Sequence, residues 1–261
     1  MITSIHNPKV QWVRKLQAQA KDRRQDESFV VEGVRLVEEA LNANWEIRLV
    51  LYSEALSPRG MALVDSFTAR DIPTEIVSPH VMQAAAHTET PQGLLAVLAM
   101  KGLPLPAALD FVLIPDAVRD PGNLGTLLRT AAAAGVQAIL LPPGTTDLFA
   151  PKVVRSAMGA HFRLPILSMD WPGIEATLKP PAPAMQFSVY LADAKGEQAY
   201  TDADFRRATA LLIGGEAAGA GTQAAQLADH RIRIPMPGGA ESLNAAVAAA
   251  ILLFEVVRQR S

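Results

Sequence analysis

The chain has 261 residues, of which 49% are hydrophobic and 19% are charged; this is an ordinary globular composition, and the length suffices for two modest domains. It contains no cysteine, which excludes disulfides, thiolate metal sites and a cysteine nucleophile. The formal net charge of −2 argues against broad, charge-driven binding of nucleic acid by the whole surface.

The first predicted element is a basic helix near the N-terminus. The residues before it lack a charged region followed by an apolar stretch, so we expect no signal peptide and a cytoplasmic location. Asn7 and Pro8 predict the helix start, with the asparagine as N-cap. Val10, Val13, Leu16 and Ala20 then share one helical face. The basic residues of this region are Lys9, Arg14, Lys15, Lys21, Arg23 and Arg24. They form either a solvated helix face or a patch that contacts phosphates.

Residues 29–100 alternate between strand and helix patterns, which is typical of an α/β unit of about 100 residues. The predicted strands are 29–31, 46–52, 74–77 and 93–100, and the predicted helices are 34–42, 58–69 and 79–86. Two prolines and a glycine then interrupt the pattern, so residues 101–108 are interpreted as a linker. We therefore predict one domain over 1–100 and a second over 109–261.

The second domain repeats the alternation. Its predicted strands are 111–115, 138–141, 187–191, 210–213 and 231–234, and its predicted helices are 124–134, 151–158, 174–178, 222–227 and 243–257. Continuous apolar strands indicate a parallel sheet that is covered on both faces. Ligands of such sheets bind beyond the carboxyl ends of the strands. The last helix is the longest apolar run, but it is too short to span a bilayer and is interrupted by Glu255.

Three glycine-rich loops each follow a predicted strand. The first carries Asn123 and Arg129; an arginine on a helix that otherwise looks buried needs a partner, and a structural ion pair is the simple alternative to a functional role. The second lacks both a dinucleotide fingerprint and a P-loop, but its glycines allow close backbone approach to a ligand. There Glu216 is suited to pair with Arg129 or to hold a hydroxyl.

The third loop leads into the last helix. Ser242 is a natural N-cap, whereas Asn244 in the first turn is less expected because its side chain competes with backbone hydrogen bonds. A helix start offers unpaired N–H groups to a carboxylate or phosphate. Because all three loops follow strands, we expect them to form one composite site. The scattered histidines predict no metal site, and neither a nucleophile elbow nor a glycosidase carboxylate pair is present.

Taken in order, the three loops resemble the motifs of the SpoU (TrmH) family of RNA methyltransferases. The residues that carry this resemblance, within about 110–258, are Asn123, Gly125 and Arg129, then Gly214, Glu216 and Gly219, then Ile234, Pro235, Met236, Gly239, Ser242, Leu243 and Asn244. The chain departs from the family pattern at Gly215 and Ala217, which flank the glutamate, and at Ala245. These are exchanges between small residues.

The first domain resembles the L30e-like substrate-binding domain that precedes the catalytic domain in many family members. The matching residues are Ser4, Asn7 and Pro8, the basic helix, 29–33 and 90–93. Since that domain is similar to an RNA-binding ribosomal protein, the resemblance favours RNA contact by Lys9, Arg14, Lys15, Arg23 and Arg24.

The resemblance implies an α/β fold whose C-terminal, mostly parallel sheet contains a trefoil knot, preceded by a smaller L30e-like α/β domain. It also implies S-adenosylmethionine as cofactor, a homodimer formed through the C-terminal domain, and methylation of a ribose 2′-hydroxyl. Ribosomal RNA is favoured as substrate by the two-domain layout and the basic helix. The alternatives are a transfer-RNA methyltransferase, a non-catalytic RNA-binding protein that retains the fold, and a nucleotide-binding oxidoreductase, which the missing fingerprint disfavours.

The family pattern also implies roles for individual residues. Arg129 occupies the position of the family's proposed base; because a guanidinium stays protonated, orienting the RNA and stabilising negative charge is equally consistent. Asn123 and Glu216 would position Arg129, while Ser242 and Asn244 would contact the cofactor and the target ribose. The implied cofactor-binding residues are Leu212, Gly214, Gly215, Glu216, Ile234, Met236, Ser242, Leu243 and Asn244, and Arg129 is also a candidate RNA contact.

Overall fold

The computed structural model describes residues 1–181, 186–215 and 219–261, and the chain divides into two compact units. The first unit comprises Met1–Lys101 and Asp147–Phe162, and the second comprises Gly102–Thr146 and Arg163–Ser261. The sequence interpretation had assigned residues 147–162 to the second domain. In the structure this segment packs with the first unit.

Aromatic packing explains where this inserted segment lies. The ring of Phe149 lies 4.7 Å from the ring of Phe29, and the buried His161 contacts both rings. The His161 Nε2–H donates to the carbonyl oxygen of Leu148 at 2.9 Å, and burial lowers the pKa of His161 to about 4. Apolar contact with the first unit, rather than chain order, therefore decides the position of the segment.

The first unit is built on a mixed sheet with helices around it. Its strands are β1 (Ser28–Glu32), β2 (Ile47–Tyr52), β3 (Thr74–Ile76) and β4 (Leu94–Ala99). They lie in the order β1-β4-β2-β3, with β4 antiparallel to β1 and β2, and β3 parallel to β2. The helices of residues 1–101 are α1 (Pro8–Ala18), α2 (Ala20–Gln25), α3 (Val34–Asn42), α4 (Pro58–Thr68) and α5 (Pro79–Ala85).

Helix α1 has the predicted start and the predicted buried face. The Asn7 side chain accepts a hydrogen bond from the Lys9 amide at 2.9 Å, and Val10, Val13 and Leu16 are fully buried. Gln19 is extended and separates α1 from α2, so the basic region forms two helices, and Ala20, predicted on the face of the first helix, begins the second.

The second unit contains a parallel sheet, which confirms the predicted α/β class. Its strands are β5 (Phe111–Asp116), β6 (Ala138–Leu141), β7 (Ile166–Ser168), β8 (Ser188–Ala192), β9 (Gln198–Ala199), β10 (Thr209–Gly214) and β11 (His230–Arg233). Within the described residues they lie in the order β7-β6-β5-β10-β8-β11-β9, and every pair is parallel. Its helices are α6 (Pro121–Ala133), α8 (Trp171–Leu178), α9 (Thr222–Leu227) and α10 (Ala245–Arg260), whereas α7 (Pro151–Ala157) belongs to the inserted segment.

The strand register brings several loop starts to one edge of this sheet. Gly214 at the end of β10 pairs with Asp116 at the end of β5, and Ala192 at the end of β8 pairs with both Ile213 and Ile232. The loops that follow β5, β8, β10 and β11 therefore begin side by side, as expected for the ligand-binding edge of a parallel sheet. Helix α10 packs against α6. In the part of the chain that is described, no helix is long and apolar enough to cross a membrane.

Candidate functional site

A cavity of about 560 Å³ lies at the carboxyl ends of β8, β10 and β11. The second and third glycine-rich loops form much of its wall. The predicted cofactor-binding residues that line it are Gly214, Gly215, Ile234, Met236, Ser242, Leu243 and Asn244. Residues 213–215 and 234–244, which are separated in sequence, are thus brought together around one space.

One of the predicted cofactor-binding residues that the structure describes is not among those that line the cavity. Leu212 is fully buried in the apolar core of the second unit, so its side chain does not face the cavity. Leu212 is one residue further from the carboxyl end of β10 than Ile213, which does line the cavity. Glu216 lies outside the described residues.

The glycines of the second loop allow the chain to approach itself closely. A Cβ atom on Gly214 would lie 2.4 Å from the backbone of Gly219 and Ala220, and one on Gly215 would lie 2.2 Å from the carbonyl oxygen of Ala117. Both distances are far below van der Waals contact. Packing between backbone segments therefore requires glycine at both positions before any ligand is considered.

Asn244, and not Ser242, caps the last helix. Its Oδ1 accepts hydrogen bonds from the amides of Ala246 at 2.9 Å and Val247 at 3.3 Å, so the helix begins at Ala245, later than predicted. The Asn244 Nδ2 donates to Asn123 Oδ1 at 3.0 Å, which ties the third loop to the first turn of α6. Ser242 is exposed and makes no hydrogen bond in the described part of the chain. Its hydroxyl therefore remains available at the cavity wall.

Arg129 lies on an exposed position of α6. Among residues 1–181, 186–215 and 219–261 its side chain forms no hydrogen bond or ion pair, so neither the structural ion pair nor the positioning contact from Asn123 is present there. Its neighbours Leu127 and Leu128 are fully buried, as predicted for the rest of this helix. The residues that line the cavity do not include Arg129.

Sequence reasoning did not single out three charged residues at the strand ends. Asp116 is 4% exposed and its Oδ2 accepts a hydrogen bond from the Gly221 amide at 2.7 Å, which holds the second loop against the end of β5. Asp193 and Arg231 line the cavity, with 3.8 Å between Asp193 Oδ2 and Arg231 Nη1. The rule that ligands bind at the carboxyl ends of parallel strands would have identified both aspartates.

The basic region of the first unit contains one residue that cannot serve as predicted. Arg23 is only 4% exposed: its Nη2 donates to the Asp147 carboxylate at 2.5 Å and its Nη1 donates to the Leu16 carbonyl at 2.6 Å. Its guanidinium is therefore structural, and RNA contact by Arg23 was a wrong prediction. Lys9 pairs with Glu75 but stays partly exposed.

Three of the predicted basic residues remain as an exposed cationic surface. Arg14, Lys15 and Arg24 are exposed and have no ion pair within the described residues. We call these three residues the basic surface. In the part of the chain that the structure describes, no group of His, Asp and Glu side chains could hold a metal ion.

Comparison with known proteins assigns both parts of the chain. Residues 110–254 match the SpoU rRNA Methylase family, and residues 7–96 match the MRM3-like substrate binding domain. The chain is 36% identical to the 23S rRNA (guanosine(2553)-2'-O)-methyltransferase RlmP of Bacillus subtilis, over 98% of each chain. It is 33% identical to the 23S rRNA (uridine(2479)-2'-O)-methyltransferase of Streptomyces viridochromogenes, over 99% of this chain and 92% of that protein.

The structure is also similar to a solved methyltransferase. The crystal structure of the SpoU methyltransferase AviRb from Streptomyces viridochromogenes, in complex with the cofactor AdoMet, superimposes with a TM-score of 0.88. The two chains are 32% identical, and the alignment covers 98% of each.

Proposed function

Because the chain belongs to the SpoU rRNA methylase family, we propose that it transfers a methyl group from S-adenosylmethionine to a ribose 2′-hydroxyl of ribosomal RNA. The observation that carries this proposal is the cavity in which residues of the second and third family motifs meet. The named relatives, which are 23S rRNA 2′-O-methyltransferases, support ribosomal RNA over transfer RNA.

The cavity fits S-adenosylmethionine in size and in chemistry. Its volume of about 560 Å³ lies within the usual range for small-molecule sites. Ile213, Ile234, Met236 and Leu243 give it an apolar wall for a nucleoside. The backbone at Gly214, Ile234 and Met236 lies beside that wall, where amide and carbonyl groups would hold the adenosyl part.

The residues around the cavity would orient the acceptor ribose. When bound, S-adenosylmethionine supplies a sulfonium methyl group that is already activated, so placing a hydroxyl in line with it is the main requirement. The Ser242 hydroxyl and the Asn244 amide stand at the cavity wall and would contact cofactor and ribose. Asn123 holds the Asn244 amide in one orientation. Arg129 stays protonated and would orient the RNA and stabilise the negative charge that develops on the ribose oxygen. The family's role for Glu216, which is to position Arg129, remains part of the proposal.

The basic surface of the first unit would bind RNA phosphates. Replacing Arg14, Lys15 and Arg24 together with glutamine is expected to weaken RNA binding. The slope of log K against log salt should also become less steep by about 2 to 3, because binding releases fewer counterions when three phosphate contacts are lost. Fluorescence anisotropy with ribosomal RNA fragments at several salt concentrations measures this slope. The control is the Arg59→Gln/Arg70→Gln double variant, which removes exposed charges elsewhere in the same unit. A slope unchanged in the triple variant would make α1 and α2 an ordinary solvated surface.

We also infer a homodimer formed through the second unit. Val247 and Phe254 are seven residues apart on α10, hence on one face, and are 49% and 50% exposed. Exposed apolar side chains in a row mark interaction surfaces. Helix α6, which carries the exposed Arg129, packs against α10, so a second copy that covers this face would come close to Arg129.

The dimer is tested by Phe254→Glu. We expect the wild-type chain to have the mass of two chains in light scattering, and the variant to dissociate with a dimer constant weakened about 30-fold or more, because it places a charge in an apolar interface. Met61→Glu changes an exposed apolar residue of the first unit and should leave the mass unchanged. A wild-type chain that is monomeric at micromolar concentration would overturn the inference.

The trefoil knot and the cytoplasmic location remain proposals that rest on the family. The knot is supported by the insertion of β10 between β5 and β8, and by the close backbone approach at Gly214 and Gly215. A ribosomal RNA substrate supports work in the cytoplasm.

Two measurements test the proposed function. Calorimetry should detect saturable binding of S-adenosylmethionine and none of NAD; the reverse result would favour a nucleotide-binding oxidoreductase. The protein should then be incubated with S-adenosylmethionine and total RNA from a strain that lacks its gene. Mass spectrometry of ribose modifications should show one new 2′-O-methyl group in ribosomal RNA. Modification of transfer RNA alone would favour the transfer-RNA enzyme. A chain that binds RNA but does not bind S-adenosylmethionine would favour a non-catalytic protein.

A further inference from the structure

Two oppositely charged side chains face each other on the wall of the cavity. Asp193 directly follows β8, and Arg231 lies in β11. Arg231 pairs in register with Leu191, and side chains alternate along a strand, so Asp193 and Arg231 lie on the same face of the sheet. The 3.8 Å between Asp193 Oδ2 and Arg231 Nη1 is too long for a direct hydrogen bond.

The backbone fixes Asp193 and leaves part of its carboxylate available. Its amide donates to the Ile232 carbonyl at 2.9 Å, and its Oδ1 accepts from the Lys195 amide at 2.9 Å. Its Oδ2 faces Arg231. The Arg231 side chain forms no hydrogen bond and no other ion pair with residues 1–181, 186–215 or 219–261, and it is 55% exposed. The pair therefore combines a fixed acceptor with a donor that is largely unused.

No other charged side chain is found among the described residues that line the cavity. The other described residues of the wall are apolar or offer backbone, hydroxyl and amide groups. A ligand that carries charges of both signs loses hydration when it enters such a cavity. This loss costs free energy unless each charge meets a side chain of opposite charge. S-adenosylmethionine has such a group in its amino-acid end, where an ammonium and a carboxylate are attached to one carbon.

We propose that Asp193 and Arg231 bind the amino-acid end of S-adenosylmethionine. The Asp193 carboxylate accepts hydrogen bonds from the α-ammonium group, and the Arg231 guanidinium donates to the α-carboxylate. The assignment rests on the proposed function and adds two binding residues outside the three family motifs. It gives the cavity a polarity, with the amino-acid end at β8 and β11.

The test compares two ligands that differ in the amino-acid end. S-adenosylhomocysteine contains it, whereas 5′-methylthioadenosine keeps the adenosine and the sulfur without it. In calorimetry, Asp193→Asn and Arg231→Gln should each weaken binding of S-adenosylhomocysteine about ten- to hundredfold, as expected for the loss of a charge-assisted hydrogen bond. Binding of 5′-methylthioadenosine should change by less than about twofold. The double variant should bind both ligands with similar affinity.

Lys195→Gln is the matched control, because Lys195 is exposed and lines the neighbouring groove but not this cavity. It should leave both affinities unchanged, and thermal unfolding should show that all variants fold. Equal weakening of both ligands in Asp193→Asn would indicate a contact with the ribose or a structural role, and would overturn the assignment alone. A wild-type chain that binds neither S-adenosylmethionine nor S-adenosylhomocysteine would instead overturn the proposed function.

Discussion

Replacing Arg129 with alanine is expected to lower kcat for methyl transfer about 100- to 1,000-fold, while the Kd for S-adenosylmethionine stays the same. The structure explains the separation of these two effects. Arg129 is exposed on α6, its side chain makes no hydrogen bond or ion pair among the described residues, and it is absent from the residues that line the cavity. Its removal is therefore expected to disturb neither the fold nor cofactor binding, and to remove only the proposed role toward RNA and the reacting oxygen.

Single-turnover rates with ribosomal RNA and calorimetry with the cofactor measure the two quantities separately. Arg206→Ala removes another exposed arginine of the same unit, which pairs with Asp204, and should have little effect on either. Arg129→Lys keeps the charge without the planar fork and should retain only part of the rate. If Arg129→Ala kept most of the rate, Arg129 would have no role in the mechanism; an equal loss of cofactor affinity would place it in the cofactor site instead.

The sequence predicted the secondary structure of the second unit well wherever local patterns were strong. Strands such as 210–213 are continuous apolar runs, and their ends agree with the structure to within one residue. The strands β7 and β9 were not predicted; β9 contains only two residues, too few for a pattern. The position of β10 between β5 and β8 was also beyond local analysis, since pairing between distant strands determines it.

The wrong predictions for individual side chains have a common cause, because the contact partners of these side chains lie far away in the sequence. Arg23 looked like another exposed cation because its partner, Asp147, is far away in the sequence and reaches the first unit only through the inserted segment. Ser242 and Asn244 are both good N-cap residues, so local preference could not choose between them. Asn244 caps the helix in a structure where its amide also finds Asn123, which lies on another helix. Contacts of this kind became visible only with the fold.

The glycines of the second loop were predicted as cofactor neighbours. In the structure, the close packing of backbone segments also requires glycine there. Gly215→Ala would place a Cβ atom 2.2 Å from the carbonyl oxygen of Ala117, where two backbone segments meet and neither is free to rotate away. We expect the free energy of unfolding of the ligand-free protein to fall by about 1–3 kcal/mol, as for other overpacked sites. We expect binding of S-adenosylmethionine to become at least about 100-fold weaker, because a shift of this loop by an ångström misplaces the cavity wall.

Measuring the ligand-free protein separates the backbone clash from simple blocking of the cavity. Gly238→Ala is the matched control, since a Cβ atom there would have no neighbour within 4 Å and the residue lies in the third loop. Denaturant unfolding should show a loss for Gly215→Ala and almost none for Gly238→Ala. If Gly215→Ala weakened cofactor binding but unfolded like the wild type, the alanine methyl group would only block the space of the ligand. The close contact between Gly215 and Ala117 would then not be what requires glycine at this position.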